Sequence, residues 1–240
     1  MDTLFIAFVF VVAGLVKGVT GMGLPTVAVA LLTLRMAPLE AAALLIVPSS
    51  VTNVWQLATG PALYPLFQRF WPLLLAVCAG TAAAPLLGAA AWSGAVLGLA
   101  LAGYGVLGLG GWRIHLPPRA ERWAGPLAGA ATGVMAGVTG VFVMPVAPYL
   151  QALKLDKEEL IQAMGMAFTV STLALAAVLA ARGAWHAAAA GNSLLALIPA
   201  VAGMQLGQWL RARMQPALFR RCFFIALLLL GAHQLVLVLS

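Results

Sequence analysis

Charge is what this chain has least of. Among 240 residues only 13 are basic and 6 acidic, a charged fraction of 8%, where soluble domains carry about a quarter. With 63% hydrophobic residues and a mean hydropathy of +1.04, a water-soluble fold would have to expose far too much apolar surface, which leaves an integral membrane protein. Cysteine is nearly absent as well. Cys78 and Cys222 sit in apolar stretches with no ligand spacing, which excludes a disulfide framework and a thiolate metal centre. The three histidines, His115, His186 and His233, show no metal-ligand spacing either. Neither a Walker loop nor a GxSxG nor a Ser/His pairing occurs, so the sequence supports no enzyme activity, and no cofactor or metal is expected. The basic excess of +7 does not point to nucleic acid. It gathers between apolar runs, at Arg113, Arg119 and Arg122 and again at Arg211, Arg213, Arg220 and Arg221, as at the cytoplasmic edges of membrane proteins.

What the chain has in abundance is long apolar runs, enough for spans of roughly 20 residues each. They read as continuous rather than alternating, so the backbone satisfies itself in helices and not in an outer-membrane barrel. The first run is read as retained, because Asp2 stands where a signal peptide would be basic. The expected fold is an all-α integral membrane bundle embedded in the lipid bilayer.

Two of the runs are broken. Residues 3–34 are interrupted between Gly18 and Pro25, inside the stretch Gly14-Leu-Val-Lys-Gly-Val-Thr-Gly-Met-Gly-Leu-Pro25, and 124–153 are interrupted between Gly137 and Pro148. Glycine and proline at that density end a helix. The intervening helices are expected over about 39–59, 68–91, 93–112, to 181, 185–210 and 218–239. Gly94, Gly98, Gly103 and Gly105 suit close helix packing. Tryptophans 55, 71, 92, 112, 123, 185 and 209 fall mostly near helix ends, with Trp55 the exception.

The two breaks are copies of one another. Written over residues 133–172 without a gap, residues 14–53 match at Gly14, Gly18, Val19, Thr20, Gly21, Val27, Ala28, Leu31, Leu34, Glu40 and Val51, which is 11 of 40 positions at a constant offset of 119. Shared glycine spacing, Thr and Glu are not a by-product of apolar composition, and they indicate a duplication. The chain therefore divides into a first transmembrane repeat, 1–112, an inter-repeat cytoplasmic loop, 113–123, and a second repeat, 124–240. If each broken block crosses once, seven loop charges face five. If each is a re-entrant hairpin, Arg69, Arg113, Arg119, Arg122, Lys154, Lys157, Arg211, Arg213, Arg220 and Arg221 share one side against Arg35 and Arg182. Ten against two satisfies the positive-inside rule better, so the expectation is a duplicated bundle of inverted repeats, each opening with a broken or re-entrant helix.

Candidate site residues cluster around the breaks. Freed backbone at Thr20-Gly21 and Thr139-Gly140 can meet an anion at a released helix N-terminus, while the GxxxG spacing of Gly14/Gly18 and Gly133/Gly137 equally suits tight packing. Lys17 is the one charge embedded deep in a block, and its counterpart is Ala136. Burial there costs roughly 2.5–3.5 kcal/mol, so it either serves an anion pathway, pairs with Glu40 or snorkels to water. Ser49, Thr52, Asn53 and Gln56 recur at i, i+3, i+4 and i+7 and share a helix face. The second copy offers Thr169, Ser171 and Thr172, with Gln162 earlier. These groups coordinate an oxyanion or hold helices together.

Gly14-Leu-Val-Lys-Gly-Val-Thr-Gly-Met-Gly, Glu40-Ala-Ala-Ala-Leu-Leu, Ser50-Val-Thr-Asn53, and then Gly133 to Pro145, Glu159 and Thr169-Val-Ser-Thr172 together resemble the TauE/SafE sulfite-exporter family over nearly the whole chain. The resemblance implies a multi-pass permease of the bacterial inner membrane, with sulfite or organosulfonates as substrate class. Gly23-Leu24-Pro25 and Phe142-Val143-Met144-Pro145 depart from the family's usual glycine-rich continuation. The expected function is a secondary transporter for a small anion working by alternating access, with Lys17, Thr20, Gly21, Ser49, Thr52, Asn53, Thr139, Gly140, Thr169 and Thr172 at the substrate. A passive channel or a non-transporting membrane assembly subunit are the alternatives. The oligomeric state is open, with a homodimer among the options.

Overall fold

The computed structural model describes residues 3–88, 92–111, 116–184, 187–211, 213 and 216–239. Trp112, Arg113, His115, Trp185 and His186 lie outside them. The chain is helical throughout these residues: α1 (Thr3–Thr20), α2 (Leu24–Leu32), α3 (Pro38–Ala58), α4 (Leu63–Ala83), α5 (Ser93–Gly110), α6 (Pro118–Thr139), α7 (Val146–Gln151), α8 (Lys157–Ala181), α9 (Ala187–Arg211) and α10 (Pro216–Leu239). Seven helices among the described residues are long and apolar enough to cross a membrane. α6 is long too, but begins with Arg119, Glu121 and Arg122.

Both breaks form for the same local reason. Gly21 and Gly23 take φ of 79° and 98°, a left-handed backbone that side chains resist, and Pro25 falls in the first turn of α2. Gly140 takes φ of 76° at the end of α6. Each helix closes on an equivalent bond, Gly21 N–H to Lys17 O (2.7 Å) and Gly140 N–H to Ala136 O (2.8 Å). The starts of α3 and α8 match as well, for Glu40 and Glu159 accept from the N–H of Ala37 and Asp156, both at 3.2 Å.

The helices that end at the two breaks are seated on partners distant in sequence or on the far side of a loop: α1 lies on α9 and α6 lies on α4. Glycines permit it. A Cβ at Gly14 would meet the Ala200 carbonyl and one at Gly18 the Met204 carbonyl; at Gly133 it would meet the Val77 carbonyl. Residue numbers rise together in both pairs, with Gly203 on Val11 and Gly207 on Leu15, then Gly129 on Leu73 and Gly133 on Val77, so both pairs are parallel. The packing explanation of the GxxxG spacing therefore holds.

Two further pairs, α5 with α10 and α3 with α8, run antiparallel. α5 packs on α10 with Gly94 beside Val238, Gly98 beside Leu235 and Gly105 beside Leu228. α3 and α8, the two most buried spans, cross at Asn53 and Thr172, after which Leu57 meets Gly165 and Gly60 meets Gln162. Pro48 interrupts α3 without loose ends. It leaves the Leu44 carbonyl without its helical donor, and Ser193 of α9 donates to that carbonyl (2.8 Å) while accepting from Val47 N–H (3.0 Å).

Candidate functional site

Lys17 is buried, at 4% exposure, so it does not snorkel. Nor does it reach Glu40, which is engaged at its own helix start. The last turn of α1 instead aims the ammonium at α3, where Nζ donates to Thr52 Oγ1 (3.1 Å) and to Asn53 Oδ1. Asn53 Nδ2 in turn donates to Thr172 Oγ1 of α8 (3.4 Å). Thr172 stands 119 positions after Asn53, the offset at which the two broken stretches align in sequence, and a polar line runs from the charge to the place where α3 and α8 cross.

Every partner of Lys17 among the described residues is neutral. An intramembrane lysine costs roughly 2.5–3.5 kcal/mol, and hydrogen bonds from a charged group return about 1.5–3 kcal/mol each, so the two partners hold the ammonium but bring it no counter-charge. Space for one lies beside it. A cavity of about 330 Å³ is lined by Lys17, Gly18, Gly21, Thr52, Trp55, Gln56, Thr59, Ile161, Met204, Gln208 and Arg211. None of these residues is acidic. The cavity extends to the helix ends where α3 stops, α8 starts and α9 stops. Trp55 stands at its margin, mostly exposed.

The glutamines fix its walls. Gln56 Nε2 donates to Gly21 O (3.2 Å) and to Ile161 O (2.9 Å), tying the tip of the first break to α8. Gln162 answers from α8, donating to Leu57 O (2.9 Å) and accepting from Ala62 N–H (2.7 Å).

Of the residues expected at the site, the structure brings Lys17, Thr52, Asn53 and Thr172 into one hydrogen-bonded line and sets Gly21 on the cavity wall. Ser49 lies one turn away on the same face of α3, fully buried with its hydroxyl unpartnered. Thr20 and Thr139 serve their own turns. The Thr20 hydroxyl accepts from Met22 N–H (3.2 Å) and points its proton at nearby carbonyls, Val16 O at 2.8 Å and Met22 O at 2.6 Å. The Thr139 hydroxyl donates to Met135 O (2.8 Å) and accepts from Val141 N–H (3.1 Å). Thr169 spends its proton on Gly165 O (2.7 Å) within α8. Gly140 is packed against Ala42 of α3, away from the cavity lining. Sequence reasoning missed the contribution of α9. Met204, Gln208 and Arg211 follow at i, i+4 and i+7 and line one wall, a helical-face signal that was present but unremarkable in so apolar a chain.

No curated protein and no solved structure matches the chain. A protein-family model does match, over residues 6–233, and its description is "Sulfite exporter TauE/SafE". Two helices broken at glycine, a buried lysine and a cavity without carboxylates thus occur in a chain that belongs to the TauE/SafE sulfite exporter family of membrane transporters.

Proposed function

We propose that this protein is a secondary transporter of the bacterial inner membrane that moves a small oxyanion, sulfite or an organosulfonate, by alternating access between two inverted repeats. The observation that carries the proposal is Lys17, a buried cation with only neutral partners at the wall of a cavity without acidic residues. A bound anion supplies the missing counter-charge.

Inversion is supported by the antiparallel contacts of α3 with α8 and of α5 with α10. A two-fold axis that superposes equivalent helices while reversing their direction lies in the membrane plane. Single crossings of both broken blocks would make α3 and α8 parallel, so their antiparallel contact, together with α4 parallel to α6, favours α2 and α7 turning back toward the side from which α1 and α6 enter, as re-entrant hairpins do. The ten-against-two charge distribution then makes the cavity end cytoplasmic. On this reading the repeats span 1–112 and 124–240 with the loop 113–123 between them, and α6 already begins within that loop, at Pro118.

The state is cytoplasm-open. Gly140, at the second break, closes against Ala42, while the image of that contact, Gly21 against Ile161, is opened into the cavity with Gln56 bridging the two. Alternation exchanges these two arrangements. Reconstituted protein should show saturable sulfite or methanesulfonate flux with counterflow. Flux without saturation or counterflow identifies a channel, and no flux at all identifies a non-transporting subunit.

A further inference from the structure

We propose that Arg211 and Gln208 form an outer anion subsite at the cytoplasmic mouth of the cavity, which captures the oxyanion and passes it inward to Lys17. The proposal rests on the reading of the cavity as an anion pathway and deepens it.

Three observations place the subsite. Met204, Gln208 and Arg211 share one face of α9 and all line the cavity that Lys17 lines. The parallel seating of α9 on α1 puts Gly18 beside Met204 and Gln208. Arg211, closing α9, therefore stands about one turn, ~5 Å, beyond the level of Lys17 toward the helix ends. Finally, no acidic residue lines the cavity to neutralise either cation, and the exposed Gln208 amide makes no hydrogen bond among the described residues.

The chemistry suits a small oxyanion. A guanidinium offers a planar pair of donors that matches two oxygens of a sulfur oxyanion, Gln208 adds amide donors, and the Lys17 ammonium waits deeper as a point charge. An arginine ending a helix also complements the helix dipole and anchors the cytoplasmic edge. Arg213 performs the second of those tasks but not the capture. Its guanidinium lies over the Trp209 ring at 4.0 Å, and it does not line the cavity. The two arginines are thus a matched pair, one inside the pathway and one outside it.

The test measures sulfite and methanesulfonate affinity of the purified full chain at several salt concentrations, for wild type, Arg211→Gln, Arg211→Lys and Arg213→Gln. Rim charges act on capture and on salt dependence, so Arg211→Gln is expected to weaken binding about 3- to 10-fold at low salt and to flatten the salt dependence. Arg211→Lys should keep the salt dependence, and Arg213→Gln should match wild type. Equal behaviour of Arg211→Gln and Arg213→Gln overturns the outer subsite while leaving the inner site standing. If Arg211→Gln does not fold, the lysine variant decides, since loss of its salt dependence equally overturns the proposal. Wild-type protein that binds neither anion overturns the underlying reading as well.

Discussion

The two broken helices share a backbone and differ in their surroundings. Gly21 and Gly140 have nearly the same φ, 79° and 76°, and Thr20 and Thr139 make the same turn bonds. Around the first break lie Lys17, Gln56 and open space; a Cβ at Gly21 would touch nothing within 4 Å. Around the second, Ala136 replaces the lysine, Ala42 abuts Gly140, and Phe142 packs on Phe168 with ring centroids 5.7 Å apart where the first half has Gly23 and Ser49. The same backbone break is therefore polar and open at one place and apolar and shut at the other, and a few side chains make the difference.

The largest expected contrast lies in the glycine seams. At Gly18 an added methyl meets the Met204 main-chain carbonyl, whereas at Gly137 it meets the Ala84 methyl first. Overpacking costs about 1–3 kcal/mol, so both Gly18→Ala and Gly137→Ala should lower the unfolding temperature in detergent. Only the second should recover when combined with Ala84→Gly. Recovery of neither would mean that backbone crowding governs both seams.

A smaller contrast is expected at the tips. A left-handed φ costs a non-glycine residue about 1–2 kcal/mol, a penalty that Gly21→Ala and Gly140→Ala share. Gly140→Ala adds the collision with Ala42, so it should be the less stable variant, and Ala42→Gly should bring it back to the level of Gly21→Ala. Equal unfolding temperatures for the two single variants would show that the second tip is as open as the first.

The smallest effect belongs to the crossing point. Thr172→Val removes the bond from Asn53 and, within α8, the hydroxyl's bond to Phe168 O; only the first joins two helices, and it should cost about 0.6 kcal/mol, the average for such a bond in a membrane. Asn53→Ala also strips Lys17 of a partner and should reduce transport more than stability. If the two variants transport equally well, the polar line does not organise the site.

Much of this was legible in the sequence because it is written locally. Gly21, Gly23 and Pro25 break a helix by their own conformational limits, the offset of 119 pointed to a second break at Gly140, and periodicity grouped Thr52, Asn53 and Gln56 on one face. The cavity was not legible. Its α9 wall comes from residues some 190 positions after Lys17, brought there by the packing of α1 on α9, and no short-range pattern reports such a neighbour. Arg211 therefore read as one more loop charge. Gly14 and Gly18 were ambiguous for a different reason, since the spacing that suits a ligand also suits a helix seam. The Thr20 hydroxyl looked available only because the turn that consumes it is set by Gly21 and Gly23 in three dimensions.

The most direct measurement is a thermal-shift titration of wild type and Lys17→Met with sulfite, methanesulfonate, thiosulfate and a carboxylate. Wild type should be stabilised saturably by at least one sulfur oxyanion. Lys17→Met should lose that response while unfolding, without ligand, at the same or a higher temperature, because an apolar residue of similar length relieves the buried charge. An ion–hydrogen-bond contact contributes about 1.5–3 kcal/mol, so the loss should correspond to roughly 10- to 100-fold in affinity. Equal stabilisation of both proteins, or none of wild type by any of these anions, would contradict the assignment of Lys17 as the anion's counter-charge.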